Sequence, residues 1–212
     1  MIAMNKPEHR FFERILDNNL EDLSKFLFEK QDEILSGKIG NIPADLLANF
    51  NATNGAATQL GTYYNVFTFE NEGIQKLKSA LKDMTIEACN YYGIDFSSND
   101  FKIHGWFNVD YKFDSVSISP KQDNRFYHDH MNGEGAPVFH GYYSINAEPS
   151  ITYYKINNLN DFENVNVNNR AILSETGHPH GRDDWYQDTP RITLAYDIAP
   201  SSYNVGEKWI QL

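Results

Sequence analysis

A single cysteine, Cys89, is the only thiol in this 212-residue chain. That excludes an internal disulfide, a cysteine zinc site and an iron–sulfur cluster, and it fits a reducing, cytoplasmic setting. Long apolar runs are missing too. None approaches the ~20 residues that a membrane-spanning helix requires, so no membrane association is expected. The opening stretch, MIAMNKPEHRFFERIL, is too charged for a secretory signal peptide. Basic residues are scarce: 18 Lys and Arg face 29 Asp and Glu, for a formal net charge of −11. Such a surface repels phosphate backbones, so no nucleic-acid partner is expected.

Aromatic side chains are abundant, with 14 Phe and 13 Tyr. Disordered chains carry few of them. The length suits one domain, residues 1–212, with room for a sizeable core. Asn occurs 23 times, a composition rich in turns.

The chain divides into a helical lead-in, about 1–97, and a β-rich core, about 98–212. Phe11, Phe12, Ile15, Leu16, Leu20, Leu23, Phe26 and Leu27 recur at spacings of three and four. They predict one or two helices over Pro7–Ser36, with His9 solvated on the first. Tyr63–Phe69 reads as a strand. Glu72–Tyr91 returns to helical spacing and stops at Gly93. This helix is expected to be the longest and best packed. Short β-rich runs follow: Phe101–Tyr111, Ser115–Ser119, Arg125–His130, Val138–Ile145, Ile151–Ile156, Arg170–Ser174, Arg191–Ile198 and Lys208–Gln211. Asn157–Asn169 reads as a long surface loop. Helices first and about eight strands afterwards imply an α+β, mainly β fold: a β-sandwich or jelly roll buttressed by N-terminal helices.

Six of the seven histidines fall between His104 and His180. Residues two apart on a strand share a face, so His128 and His130 can converge on one metal while Asp129 points away. A third imidazole, from His178 or His180, would complete one face of an octahedron suited to Fe, Zn, Cu or Ni. His104 and His140 read as core histidines with one hydrogen bond each. Arg191 and Thr193 repeat the same-face geometry. A guanidinium is a planar bidentate donor for a carboxylate, and the Thr hydroxyl adds a further bond, so this pair reads as an anion site.

These residues resemble the 2-oxoglutarate/Fe(II)-dependent oxygenases. That family shows a His-x-Asp/Glu pair, a distal His and, about ten residues on, Arg-x-Ser/Thr. Here the positions read His128-Asp129-His130, His180 and Arg191-Ile192-Thr193. A prolyl-hydroxylase-like branch, known mostly from marine bacteria and their phages, is closer still. It shows Trp-x-Asn-Val, His-x-His, a small residue followed by Tyr-Tyr, and a closing Arg-Ile-Ser strand. This chain has Trp106-Phe107-Asn108-Val109, His128-Asp129-His130, Gly141-Tyr142-Tyr143 and Arg191-Ile192-Thr193. The resemblance runs from about Asn54 to Pro200.

The resemblance implies a double-stranded β-helix, with Fe(II) as cofactor and 2-oxoglutarate and O₂ as co-substrates. His128, His130 and His180 would hold the iron, with His178 off the metal. Arg191 and Thr193 would bind the distal carboxylate of 2-oxoglutarate, joined by Tyr142 or Tyr143 and by Asn108. His178 and Trp185 would flank a substrate mouth, and Met131–Val138 would form a lid. The reaction would hydroxylate a peptide or small-molecule substrate, in the host cytoplasm if the gene is phage-borne. One departure stands out. His130 occupies a position where most of the family places a carboxylate, which leaves the metal one charge more positive. Asp129 or Glu134 would supply that carboxylate if the strand bulged near Gly133. Two rival readings remain at this point: a three-His, cupin-like dioxygenase that needs no 2-oxoglutarate, and a catalytically silent jelly-roll binding module.

Overall fold

The computed structural model describes residues 8–48, 56–95, 100–112, 127–130, 138–156 and 162–212. In chain order they form β1 (Phe12–Ile15), α1 (Leu20–Leu35), α2 (Ala44–Ala48), α3 (Ala56–Gln59), α4 (Glu72–Tyr92), β2 (Phe101–Asp110), β3 (Phe139–Asn146), β4 (Ile151–Tyr154), β5 (Phe162–Val165), β6 (Arg170–Glu175), β7 (His180–Arg182), β8 (Arg191–Pro200) and β9 (Ile210–Gln211).

The two long helices start on Asn caps. Asn19 accepts the Asp22 N–H and Asn71 accepts the Ile74 N–H, each satisfying a donor that a helix start leaves unpaired. Gly93, at φ 70°, ends α4 in the left-handed conformation that favours glycine. Each helix buries a stripe: Leu23, Leu27 and Ile34 on α1, and Ile74, Leu77, Leu81, Met84 and Ala88 on α4. At about 1.5–3 kcal/mol for each large aliphatic side chain buried, the stripes outweigh differences in helix propensity. No described helix is long and apolar enough to cross a membrane.

The strands form two antiparallel sheets. The larger has the order β1-β6-β3-β8-β2-β9 and the smaller β5-β4-β7. His128 bridges to His180 and so extends the smaller sheet beyond β7. The larger sheet has two chemically different faces. Phe101, Ile103, Phe107, Val109, Phe139, Tyr143, Leu194 and Ile198 join the helices in the main core. The other face carries a small apolar cluster, Tyr142 and Ile172, packed against Tyr154 of β4.

Several expectations are corrected. Phe12–Ile15 is not helical: it pairs with β6, from Phe12↔Leu173 to Ile15↔Arg170. Its apolar residues satisfy both periods, and the open edge of β6 supplies backbone partners that favour the strand. His9 lies ahead of this strand with its side chain only 6% exposed, so it is not solvated on a helix. Tyr63–Phe69 is not a strand: one short 3₁₀ turn, Gly61–Tyr63, runs into it and a second, Val66–Thr68, lies within it. Asn65 explains this. Its side chain accepts from Phe67 N and Gly105 N and donates to Ile103 O and Lys208 O, occupying the bonds a strand would have used. The Asn-rich stretch contains β5, and Asn164 and Asn166 are buried: Asn164 accepts from Arg170, while Asn166 bonds Ser150 and Thr152. His180–Arg182, placed in no strand by the sequence, forms β7. Ser115–Ser119 lies outside the described residues, as does part of Arg125–His130.

Close packing of the larger sheet predicts a glycine requirement. A Cβ at Gly141 would collide with the Ile172 carbonyl oxygen and lie 2.8 Å from the Tyr196 ring, whereas at Gly206 the nearest atom is Trp209 Cδ1 at 3.9 Å. Gly141→Ala is expected to cost about 1–3 kcal/mol in urea unfolding, and Gly206→Ala less than about 0.5 kcal/mol. Coincident unfolding midpoints for the two variants would refute this packing.

Candidate functional site

The pleat of β8 lays out the site. Arg191, Thr193, Ala195 and Asp197 share one face. Opposite them on β2 stand Asp110, Asn108, Trp106 and His104, and Ser144, Tyr142 and His140 stand opposite the last three on β3. Polar groups therefore run along the surface facing away from the helices, with Arg191 at one end and Asp197 at the other.

Three imidazoles gather at the Asp197 end. His128 N donates to His180 O at 3.0 Å and His180 N to His128 O at 2.8 Å. Two mutual bonds make the residues directly opposed, with side chains on one face. His130, two positions on, joins them. One ring nitrogen from each of His128, His130 and His180 lies within 4.8 Å of the other two. His140 stacks at 4.7 Å from His180, and its Nε2 meets Ser174 Oγ at 3.2 Å. Burial, reinforced by the neighbouring His128 and His130, presses the His180 pKa down to about 3. Burial, then His180, also holds His140 well below the usual range. These rings are neutral at physiological pH, and a neutral imidazole is what a metal requires.

His130 behaves differently. Burial opposes its charged form, but Asp197 outweighs this and its pKa is raised. Asp197 Oδ1 lies 2.6 Å from His130 Nδ1. A carboxylate only accepts, so Nδ1 carries the proton and Nε2 is the ring's donor atom. A carboxylate behind a histidine fixes the tautomer and raises ligand basicity. It also returns to the centre the negative charge that His130 lacks. Three imidazoles, one of them backed by this carboxylate, fit a divalent iron-class ion.

At the other end, Arg191 is 4% exposed. Its Nε donates to Ser150 Oγ and its Nη1 to Asp110 Oδ2, both at 3.3 Å. Arg182 reaches the second oxygen of Asp110 at 2.7 Å. Two guanidinium groups on one carboxylate leave one positive charge in excess. Burial, then Arg182, lowers the Arg191 pKa to about 10, and Asp110 counters them. Arg191 remains a cation at neutral pH. Thr193 Oγ1 accepts from Asn108 Nδ2 at 3.0 Å, and Asn108 Oδ1 accepts from the Thr58 hydroxyl at 2.5 Å. Asn108 thus holds Thr193 in place.

Between the two ends, the Tyr142 hydroxyl is buried beside Thr152 and, among the described residues, Ser144 Oγ is buried without a hydrogen-bond partner. The Tyr154 hydroxyl, in the apolar cluster with Tyr142, is also without one. An unsatisfied buried polar group costs about 1–3 kcal/mol. A small dicarboxylate or keto acid would satisfy such donors and neutralise the excess charge, so these residues fit 2-oxoglutarate.

Of the two tyrosines weighed from sequence, only Tyr142 faces the site. Tyr143 lies on the helix side, its hydroxyl accepting from Asn18 Nδ2 at 3.0 Å and donating to Asn169 Oδ1. Trp185 is buried, and its Nε1 donates to Thr189 O at 2.6 Å, closing the β7–β8 loop on itself. His178 stands in a separate group with His9 and Glu175. His104 is a core histidine, its Nε2 3.0 Å from Tyr64 O. Asp129 is exposed and outside the imidazole group. Glu134, Gly133 and the 131–137 part of the expected lid lie outside the described residues. Sequence reasoning missed Asp197, Asp110 and Arg182. Each stands an even number of positions from a recognised residue on the same strand (Arg191, Asn108 and His180), so period two extended further would have reached them.

No family model matches the chain, and no curated protein matches it. The fold is similar to that of a Pseudomonas putida prolyl-4-hydroxylase crystal structure. The TM-score is 0.52 at 10% identity, over 90% of this chain and 93% of that one. At that identity the likeness concerns the fold.

The geometry predicts graded effects on anaerobic Fe(II) binding at the three imidazoles. His128→Ala and His180→Ala should abolish tight binding. Asp197→Asn should weaken it roughly 10–100-fold, the usual consequence of losing a carboxylate behind a ligand histidine. Asp129→Ala should leave it unchanged. If Asp129→Ala abolished binding and His130→Ala did not, a carboxylate-containing triad would replace this one.

Proposed function

We propose that the two sheets face each other as a double-stranded β-helix and that the chain is an Fe(II)- and 2-oxoglutarate-dependent hydroxylase of a peptide or small molecule. One observation carries this reading. An anion site (Arg191, Thr193) lies at one end of a face of the larger sheet, and an imidazole centre carried by the smaller sheet and its His128 bridge (His128, His130, His180) meets the other end at Asp197, with the buried Tyr142 and Ser144 hydroxyls between them. The shared fold with a prolyl-4-hydroxylase supports it, and that enzyme's name suggests prolyl peptides as the first substrates to test.

In this reading the three imidazoles hold the iron. When bound, Fe(II) supplies the redox chemistry that couples decarboxylation of 2-oxoglutarate to hydroxylation of a substrate C–H bond. The chain's own residues bind and orient. Arg191 takes the distal carboxylate of the co-substrate as a charge-assisted partner, with Thr193 beside it and Asn108 fixing Thr193. Tyr142 donates its hydroxyl to the same anion. Asp110 stays neutralised by Arg182 when Arg191 turns to its ligand. Asp197 keeps the proton of His130 on Nδ1. His140 and Tyr154 wall the centre and exclude water.

The imidazole at position 130 favours, as a second reading, a three-His dioxygenase that works without 2-oxoglutarate. Such an enzyme has no use for Arg191. The deciding experiment measures succinate formed from 2-oxoglutarate under O₂ with Fe(II), alongside anaerobic 2-oxoglutarate binding. Arg191→Ala should weaken that binding by about 1.5–3 kcal/mol, or roughly 10–150-fold, while iron binding persists. Equal affinities for wild type and variant would exclude this role for Arg191. Tight binding with no succinate under any substrate would identify a silent binding module.

A further inference from the structure

His9, Glu175 and His178 form a second constellation, separate from the three imidazoles. One donor atom from each lies within 4.8 Å of the other two. The residues come from distinct places: the stretch ahead of β1, the last position of β6 and the turn into β7. Gly177, at φ 94°, lets that turn fold back so that His178 meets Glu175 three positions earlier. The side chains of His9, Glu175 and His178 are only 6%, 18% and 16% exposed.

The spacings identify the ligand class. Glu175 Oε1 lies 3.7 Å from His9 Nδ1 and 3.5 Å from His178 Nε2. Both distances exceed the ~2.7–3.2 Å of a good N–H···O bond. Two donors held at about 2.0–2.2 Å by one tetrahedral ion stand about 3.4 Å apart, which matches. The His9 ring meets His178 edge-on at 4.2 Å and Phe11 edge-on at 4.8 Å. Phe11 in turn packs on Tyr154 and Phe162, so an apolar wall backs the polar atoms and lowers the local dielectric. Two imidazoles and one carboxylate form a borderline donor set that prefers Zn²⁺ to Mg²⁺ or Ca²⁺.

We propose that His9, Glu175 and His178 bind a zinc-class divalent ion, with water in the fourth position. The ion clips the stretch before β1 to the β6–β7 turn. None of the three residues holds the iron or the co-substrate in the oxygenase reading, so the two assignments stand or fall separately.

The test is Zn(II) titration of chelator-stripped full-length protein by calorimetry, with Co(II) absorption as a second readout. Wild type should bind two equivalents. Glu175→Gln and His178→Ala should each bind one, the equivalent that His180→Ala removes. Zn(II) should raise the melting temperature of wild type more than that of Glu175→Gln. If His178→Ala fails to fold, His9→Ala should give the same stoichiometry. One wild-type equivalent, lost in Glu175→Gln but kept in His180→Ala, would uphold this site and remove the three-imidazole one. Unchanged stoichiometry in Glu175→Gln and His9→Ala would overturn the proposal and leave the group as a protonated ion-pair cluster.

Discussion

Everything else in this molecule depends on the pairing of β8 with β2 on one side and β3 on the other. A central strand in an antiparallel sheet has no freedom of register, because a slip of one residue exchanges its faces. In β8 that exchange would send Leu194, Tyr196 and Ile198 away from the helical core and bring Arg191, Thr193 and Asp197 into it. The apolar half is the larger commitment, since burying each large side chain contributes about 1.5–3 kcal/mol. Hydrophobic packing against α1 and α4 therefore positions the polar residues opposite, without those residues needing to stabilise the fold. Tyr196 tightens the arrangement: its hydroxyl donates to the carbonyls of Tyr142 and Ile172 and ties three strands together behind the site.

Electrostatics divides the polar face into two zones of opposite demand. Near Arg191 there is one cation too many, because Asp110 is shared with Arg182. Near the imidazoles a carboxylate, Asp197, stands ready before any cation arrives. Under the proposed function, one zone would be completed by an anion and the other by a metal. A molecule that carries a carboxylate at one end and chelating oxygens at the other would complete both together.

Period and composition made much of this visible in the sequence. The α4 stripe, the strands of the larger sheet and the same-face pairs His128/His130 and Arg191/Thr193 follow from spacings of 3.6 and 2. What stayed hidden has particular causes. Phe11, Phe12, Ile15 and Leu16 satisfy either period over so few residues that the open edge of β6 decides between them. Asn65 replaces ladder bonds with its own side chain, which no propensity for Val66 or Phe67 foretells. The Asn-rich stretch looked like a solvated loop because composition cannot reveal that Asn166 is buried against Ser150 and Thr152. Asp197 and Arg182 escaped notice because a charge inside a strand gains meaning only from the residue across the ladder.

The bridge between His128 and His180 has one more implication. Among the described residues, the segment bearing His128 pairs with the smaller sheet through two backbone hydrogen bonds and no continuous ladder. Such a short pairing opens easily, by local separation rather than global unfolding. An ion gripping both side chains would cross-link the two backbones at that point. Occupancy of the centre and closure of this stretch of sheet then become a single equilibrium. The amide protons of His128 and His180 would exchange with solvent at a rate governed by how often the ion departs, giving the backbone a direct record of the centre's state.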